Sequence, residues 1–110
     1  MSSNLLSRYT EPRVGCIEAA MNIIGSKWTA LILRDLFSGP KRFCELEKSV
    51  CNINPRTLSQ RLDDLESQGI INKTPYAEVP PRIEYSLTNK GRELLPIIKQ
   101  MAIWGRKHLA

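Results

Sequence analysis

The hydrophobic period of this chain changes at Gly69, and that change limits the folds open to it. Before it, Leu58, Leu62 and Leu65 recur at i, i+4 and i+7, the spacing that gathers side chains on one face of an α-helix. The helix has well-marked ends: Asn54 suits the N-cap, Pro55 falls where a missing N–H costs nothing, and Gly69 stops it after about Gln68. Beyond Gly69, residues 71–76 and 82–87 read as two short strands joined by residues 77–81, Ala-Glu-Val-Pro-Pro. In the second strand Ile83, Tyr85 and Leu87 alternate with Arg82, Glu84 and Ser86, the period of a strand with one buried face.

Upstream, the signals are all helical. Residues 1 to about 14 show no period and read as an N-terminal arm, leaving residues 15–110 as the folded domain. A short helix is expected over 16–24, ended by Gly25. A second runs from Lys27 to Ser38 behind a Ser26 N-cap and stops at Gly39-Pro40; a third covers about Arg42 to Val50. Thr88 can cap a last helical region reaching His108, in which Pro96 either makes a kink or starts a separate terminal helix. At 110 residues there is room for one domain only, which excludes two-domain enzymes and large barrels. The fold class expected is mainly α with a small β-hairpin (α+β), and the order of elements is that of a winged helix-turn-helix.

Such a fold presents one helix to the DNA major groove and a hairpin to the flanking backbone or minor groove. Residues 54–68 are the recognition-helix candidate. With the leucines turned inward, Arg56, Ser59, Gln60, Asp63 and Ser67 project outward. The leading half of the helix carries Arg56, Thr57, Ser59 and Gln60 and no acid, whereas Asp63, Asp64 and Glu66 all lie in its trailing half. A helix entering a groove by its N-terminus needs this polarity, because its dipole attracts phosphate, Arg pairs with guanine and Gln with adenine. The competing explanation is an ordinary solvated face; Lys41 and Arg42, in the preceding turn, favour DNA contact as phosphate clamps. Arg82, beside the stiffening Pro80-Pro81 pair, suits a backbone or minor-groove contact from the wing, and Lys73 reads as an ordinary strand charge. The net charge of +5 adds little by itself, since it divides as +2 and +3 between the two halves of the chain; placement is what matters.

Other classes of function fit poorly. There is no glycine-rich phosphate loop and no nucleophile-and-base pair, and the single histidine, His108, is terminal, so no enzyme and no cofactor are expected. No CxxC or paired His suggests a metal. No apolar run approaches the roughly 20 residues that span a bilayer, and the N-terminus does not resemble a secretion signal, so a cytoplasmic protein without membrane contact is expected. Three cysteines, Cys16, Cys44 and Cys51, are an odd count for a disulfide framework. Cys44 reads as core filler beside Phe43, while Cys16 sits at a helix N-terminus near Arg13, where a thiol ionises more easily; a buried place at a subunit seam is its alternative.

The runs SKWTALILRDLFSGPKRFCELEKSV, NPRTLSQRLDDLESQGII and VPPRIEYSLTNKGRELLPIIKQMAIWG together resemble the HxlR-type branch of the MarR-like winged-helix regulators, over about residues 16–104. Lys27-Trp28, Gly39-Pro40, Arg42-Phe43, Glu45-Leu46, Leu58-Ser59, Arg61-Leu62, Leu65-Glu66 and the Pro81–Thr88 segment carry the likeness in order. The resemblance implies a homodimeric transcription regulator, more often a repressor than an activator, on an inverted-repeat operator in double-stranded DNA. Its first and terminal helices would form the dimer, placing Ile17, Leu94, Ile97, Ile98, Met101 and Trp104 at the interface. The chain's own pattern agrees, because the two apolar stripes on the terminal helix are wider than one packed side requires. The resemblance also implies that Cys16 senses a small electrophile or oxidant. Cys51, in the turn before the recognition helix, stands where a disulfide to the partner's Cys16 could shift that helix. The alternative function is a winged-helix module for protein–protein contact that binds no DNA.

Overall fold

The computed structural model describes residues 14–109. The arm expected over residues 1–14 lies outside the described residues except for the Val14 backbone, which already belongs to the first helix, and Arg13 likewise lies outside them. The elements are α1 (Val14–Ile24), α2 (Lys27–Leu36), β1 (Lys41–Arg42), α3 (Phe43–Ser49), α4 (Pro55–Ser67), β2 (Ile71–Tyr76), β3 (Arg82–Leu87), α5 (Asn89–Arg92) and α6 (Leu95–His108).

Local chemistry explains the helical half. The Ser26 hydroxyl accepts the Trp28 N–H at 3.2 Å and starts α2, whose Ile32, Leu33 and Leu36 are shut off from solvent. The Asn54 side chain accepts the Arg56 N–H at 2.8 Å and starts α4 with Pro55 in its first turn. Leu58, Leu62 and Leu65 then face inward against α2, α3 and the sheet, with Leu46, Val50 and Ile53 completing the core beneath them. Burying a leucine stabilises by about 1.5–3 kcal/mol, so three of them anchor α4 firmly. At its end Gly69 adopts φ +75°, a conformation costly for any residue with a Cβ. The Ile70 N–H then reaches the Leu65 carbonyl at 2.9 Å, closing the helix and aiming the chain into β2.

The sheet has three strands where a hairpin was expected. Its order is β1-β3-β2 with antiparallel neighbours, Lys41 opposite Tyr85 and Arg42 opposite Glu84 on one side of β3, and Ile71 opposite Leu87 through Tyr76 opposite Arg82 on the other. Lys41 and Arg42 therefore belong to a strand and not to a turn. Two residues carry no readable period, and only their pairing with β3 makes them a strand. Ile71, Tyr85 and Leu87 are buried at the base of the hairpin. Ile83, of the same parity as Tyr85, is 38% exposed, because the outer half of the hairpin runs past the core and projects as a wing.

The wing is tied back to the last helices through Thr88. Its backbone N–H donates to the Ile70 carbonyl at 3.0 Å, and its hydroxyl accepts the Gly91 N–H at 3.0 Å, capping α5. A Cβ on Gly91 would collide with the Ile70 carbonyl, so this crossing requires glycine. Pro96 lies in the first turn of α6 and starts a separate helix rather than kinking a longer one. Among the described residues no single helix is long and apolar enough to cross a membrane.

Candidate nucleic-acid interface

The outward face of α4 is arranged as its residue spacing predicts. Arg56, Ser59 and Gln60 are exposed, Thr57 is half-buried beside them, and the first turn holds no acidic residue. Asp63, Asp64, Glu66 and Ser67 are exposed further along. The leading end of α4 thus presents an arginine, hydroxyls and an amide together with the positive end of the helix dipole. The trailing acids act on the protein itself. Arg61 lies 3.8 Å from Asp64, and burial pushes the Tyr85 phenol above its ordinary value of 10.0, with Asp63 and then Glu66 adding to the effect. Tyr85 is held as a neutral core residue under the acidic half of α4.

The cations expected to flank this helix lie on the sheet. Lys41 is half-buried and donates from Nζ to the Ser38 hydroxyl at 3.1 Å; Arg42 is exposed, and its backbone N–H donates to the Glu45 carboxylate at 2.8 Å. Arg82 is not free on the wing. Its Nη2 lies 3.1 Å from Glu78 Oε1, its Nη1 lies 3.9 Å from Glu84 Oε2, and its guanidinium lies 4.2 Å from the centre of the Tyr76 ring. The hold of Glu78 was missed in the sequence, although a glutamate and an arginine on either side of Val79-Pro80-Pro81 were its visible signal. Lys73 is exposed on β2, without a role that the geometry singles out. Between the β1–α3 junction and the returning wing lies an open crevice of about 430 Å³, with Arg42, Phe43 and Cys44 on one side and Glu78 and residues 80–83 on the other.

The terminal helices differ from this half. No residue of α6 is fully buried; Ile97, Met101 and Trp104 stand exposed, as does Ile17 on α1. Leu94 and Ile98, expected at the same interface, differ from these in the single chain. They are half-buried against the chain's own core, because the stripe they share with α6 begins where the helix still rests on the domain. Met21 and Ile103 are exposed apolar residues that were not anticipated, 54% and 58% accessible. His108 packs its ring 4.7 Å from that of Trp104. All three cysteines are exposed free thiols. Cys16 is therefore open in the single chain. Cys44 is not core filler: Phe43 turns towards the core, and the next residue of a helix points about 100° away from it. Cys51 lies in the turn between α3 and α4, its thiol 3.9 Å from the Lys48 carbonyl. Among the described residues no group of His, Cys, Asp and Glu converges as a metal site.

Comparison with known proteins places this geometry. Residues 23–110 match the family model described as an HxlR-like helix-turn-helix. The HTH-type transcriptional regulator YdeP of Bacillus subtilis (strain 168) is 44% identical over 95 residues, 86% of this chain and 74% of YdeP. Among solved structures, the redox regulator HypR in its oxidized form is similar, with a TM-score of 0.79 and 39% identity over 84% of this chain and 95% of that one. A MarR-family protein from Porphyromonas gingivalis W83 superimposes with a TM-score of 0.81 at 36% identity, covering 89% of this chain and 96% of its own.

Proposed function

The chain belongs to the HxlR-like helix-turn-helix family of transcriptional regulators and is not an enzyme, and from that premise we propose that it binds a specific sequence in double-stranded DNA as a homodimer and acts as a repressor. The observation that carries the reading is the leading end of α4, exposed, capped, free of acid and furnished with Arg56, Thr57, Ser59 and Gln60 above a face locked by leucines. Arg56 and Gln60 are the base-reading candidates, Ser59 and Thr57 adjust to either base or phosphate, and Lys41, Arg42 and Arg82 serve the backbone. Two copies joined through Ile97, Met101 and Trp104 of α6 and Ile17 of α1 would present two such helices to an inverted repeat, with Leu94 and Ile98 bracing α6 from behind. The protein would work in the cytoplasm, where its operator lies.

Selection of DNA fragments by the purified protein, followed by a salt series on the selected duplex, tests the reading. Enrichment of an inverted repeat and a steep fall of affinity with salt are expected. Absence of binding at low salt would overturn it in favour of a protein–protein module.

We also propose that the signal is a small electrophile or an oxidant acting at Cys16. HypR, the similar structure, is a redox regulator known in oxidized and reduced forms. In this chain Cys16 and Cys51 are both open thiols, one on the first helix and one directly before α4. A disulfide from Cys16 to the partner's Cys51 would release two protons and two electrons to an oxidant such as a peroxide, and would pull on the start of the recognition helix. Thiol titration and non-reducing electrophoresis after mild oxidation should show a reducible dimer that Cys16→Ser abolishes. A chain that stays unmodified would contradict the proposal.

A further inference from the structure

We propose that the crevice at the root of the wing is the seat of one backbone phosphate of duplex DNA, and that Glu78 occupies the place of that phosphate in the free protein. The inference rests on the DNA-binding reading above and adds a residue that opposes binding.

The crevice is lined by two guanidinium groups on paired strands, Arg42 on β1 and Arg82 on β3. Arg82 is oriented before any ligand arrives. The Tyr76 ring backs it at 4.2 Å, its side chain is only 24% exposed, and its Nε is buried with no acceptor among the described residues. Among the described residues its closest acidic partner is the Glu78 carboxylate at 3.1 Å. Glu84, opposite Arg42 in the β1–β3 register, stands 3.9 Å from Arg82, beyond hydrogen-bond length. Glu84 is the weaker, longer ion partner of Arg82 and stays beside it on β3 when Glu78 leaves.

Glu78 is free to leave. Its side chain is 48% exposed on the loop between β2 and β3, one residue before the fully exposed Val79. A phosphodiester carries the same charge as a carboxylate and matches the same planar fork of donors, so either anion satisfies Arg82 and the two compete. Charge accounting sets the consequence. With Glu78 present, docking exchanges one anion for another, and the displaced carboxylate remains near the DNA and repels it. Without that carboxylate the crevice carries one excess positive charge, Arg42 and Arg82 against Glu84, and one more counterion leaves the DNA for each wing engaged.

E78Q keeps the shape of the side chain and removes its charge. The probe is a mixed-sequence duplex of about three helical turns, with affinity measured by fluorescence anisotropy over a series of salt concentrations. E78Q should bind roughly three- to fivefold tighter than the wild-type chain at low salt, the scale of one exposed ion pair. Its plot of log affinity against log salt should be steeper by about one for each wing engaged. The double variant E78Q/R82Q should lose both gains. Equal affinity and slope for E78Q and wild type would overturn the exchange, as would a double variant that keeps the gain, since the effect would then be general charge removal. A wild-type chain that ignores the duplex at low salt would instead overturn the function proposed above, and the exchange with it.

Discussion

Two helices of nearly equal length, α4 with 13 residues and α6 with 14, begin alike, each with a proline in the first turn, and end in opposite circumstances. α4 buries Leu58, Leu62 and Leu65 almost completely; α6 fully buries nothing and leaves Ile97, Met101, Ile103 and Trp104 exposed. A helix gains most of its stability from packing an apolar face rather than from propensity. α4 meets that requirement inside its own chain, which leaves its polar face free for the proposed DNA contact. α6 meets only part of it, through Ile98 and its N-cap Leu94, and the remainder is what a second copy would cover. The domain thus separates the proposed reading element, held by the monomer, from the proposed assembly element, whose apolar face the monomer leaves partly uncovered.

The most damaging way to break this contrast is to hollow out the support of α4. Leu62→Ala, at a site 1% exposed, should cost about 2–5 kcal/mol in urea unfolding and take DNA binding with it. On α6 the damage should fall on assembly instead: Met101→Asp, at a site 48% exposed, should retain its helical circular dichroism while losing about 2 kcal/mol or more of association energy in sedimentation equilibrium. At the outer face of α4, Arg56→Ala should leave folding intact and cost about 1–3 kcal/mol of binding to the selected sequence. Lys73→Ala should cost less, and equal losses would show that the reading face lies elsewhere. Smallest is the cap, where Asn54→Ala should lower thermal stability by about 1 kcal/mol through loss of the 2.8 Å bond to the Arg56 N–H.

What was legible in the sequence follows the range of the interactions involved. The start, buried face and end of α4 are written within sixteen residues, in Asn54, Pro55, the leucines and Gly69, and the structure reproduces them. β1 was illegible because it exists only by pairing with Tyr85 and Glu84, far along the chain. The state of Arg82 is hidden for a different reason: Glu78 stands only four residues away, but their pairing depends on how the loop folds back. Periodicity located the apolar stripes of α6 and could not divide them, because Leu94 and Ile98 against the core carry the same letters as Ile97 and Met101 in the open. Cys44 departs from expectation for a related reason: adjacency to Phe43 suggests shared burial, whereas neighbours in a helix face different ways.

Hydroxyl-radical footprinting of the wild-type protein on its selected duplex tests the central claim most directly, because it reports reading and assembly together. Two protected half-sites related by a dyad, their centres roughly one helical turn or a multiple of it apart, are the predicted result. A single protected half-site at saturation, or protection indifferent to sequence, would contradict it.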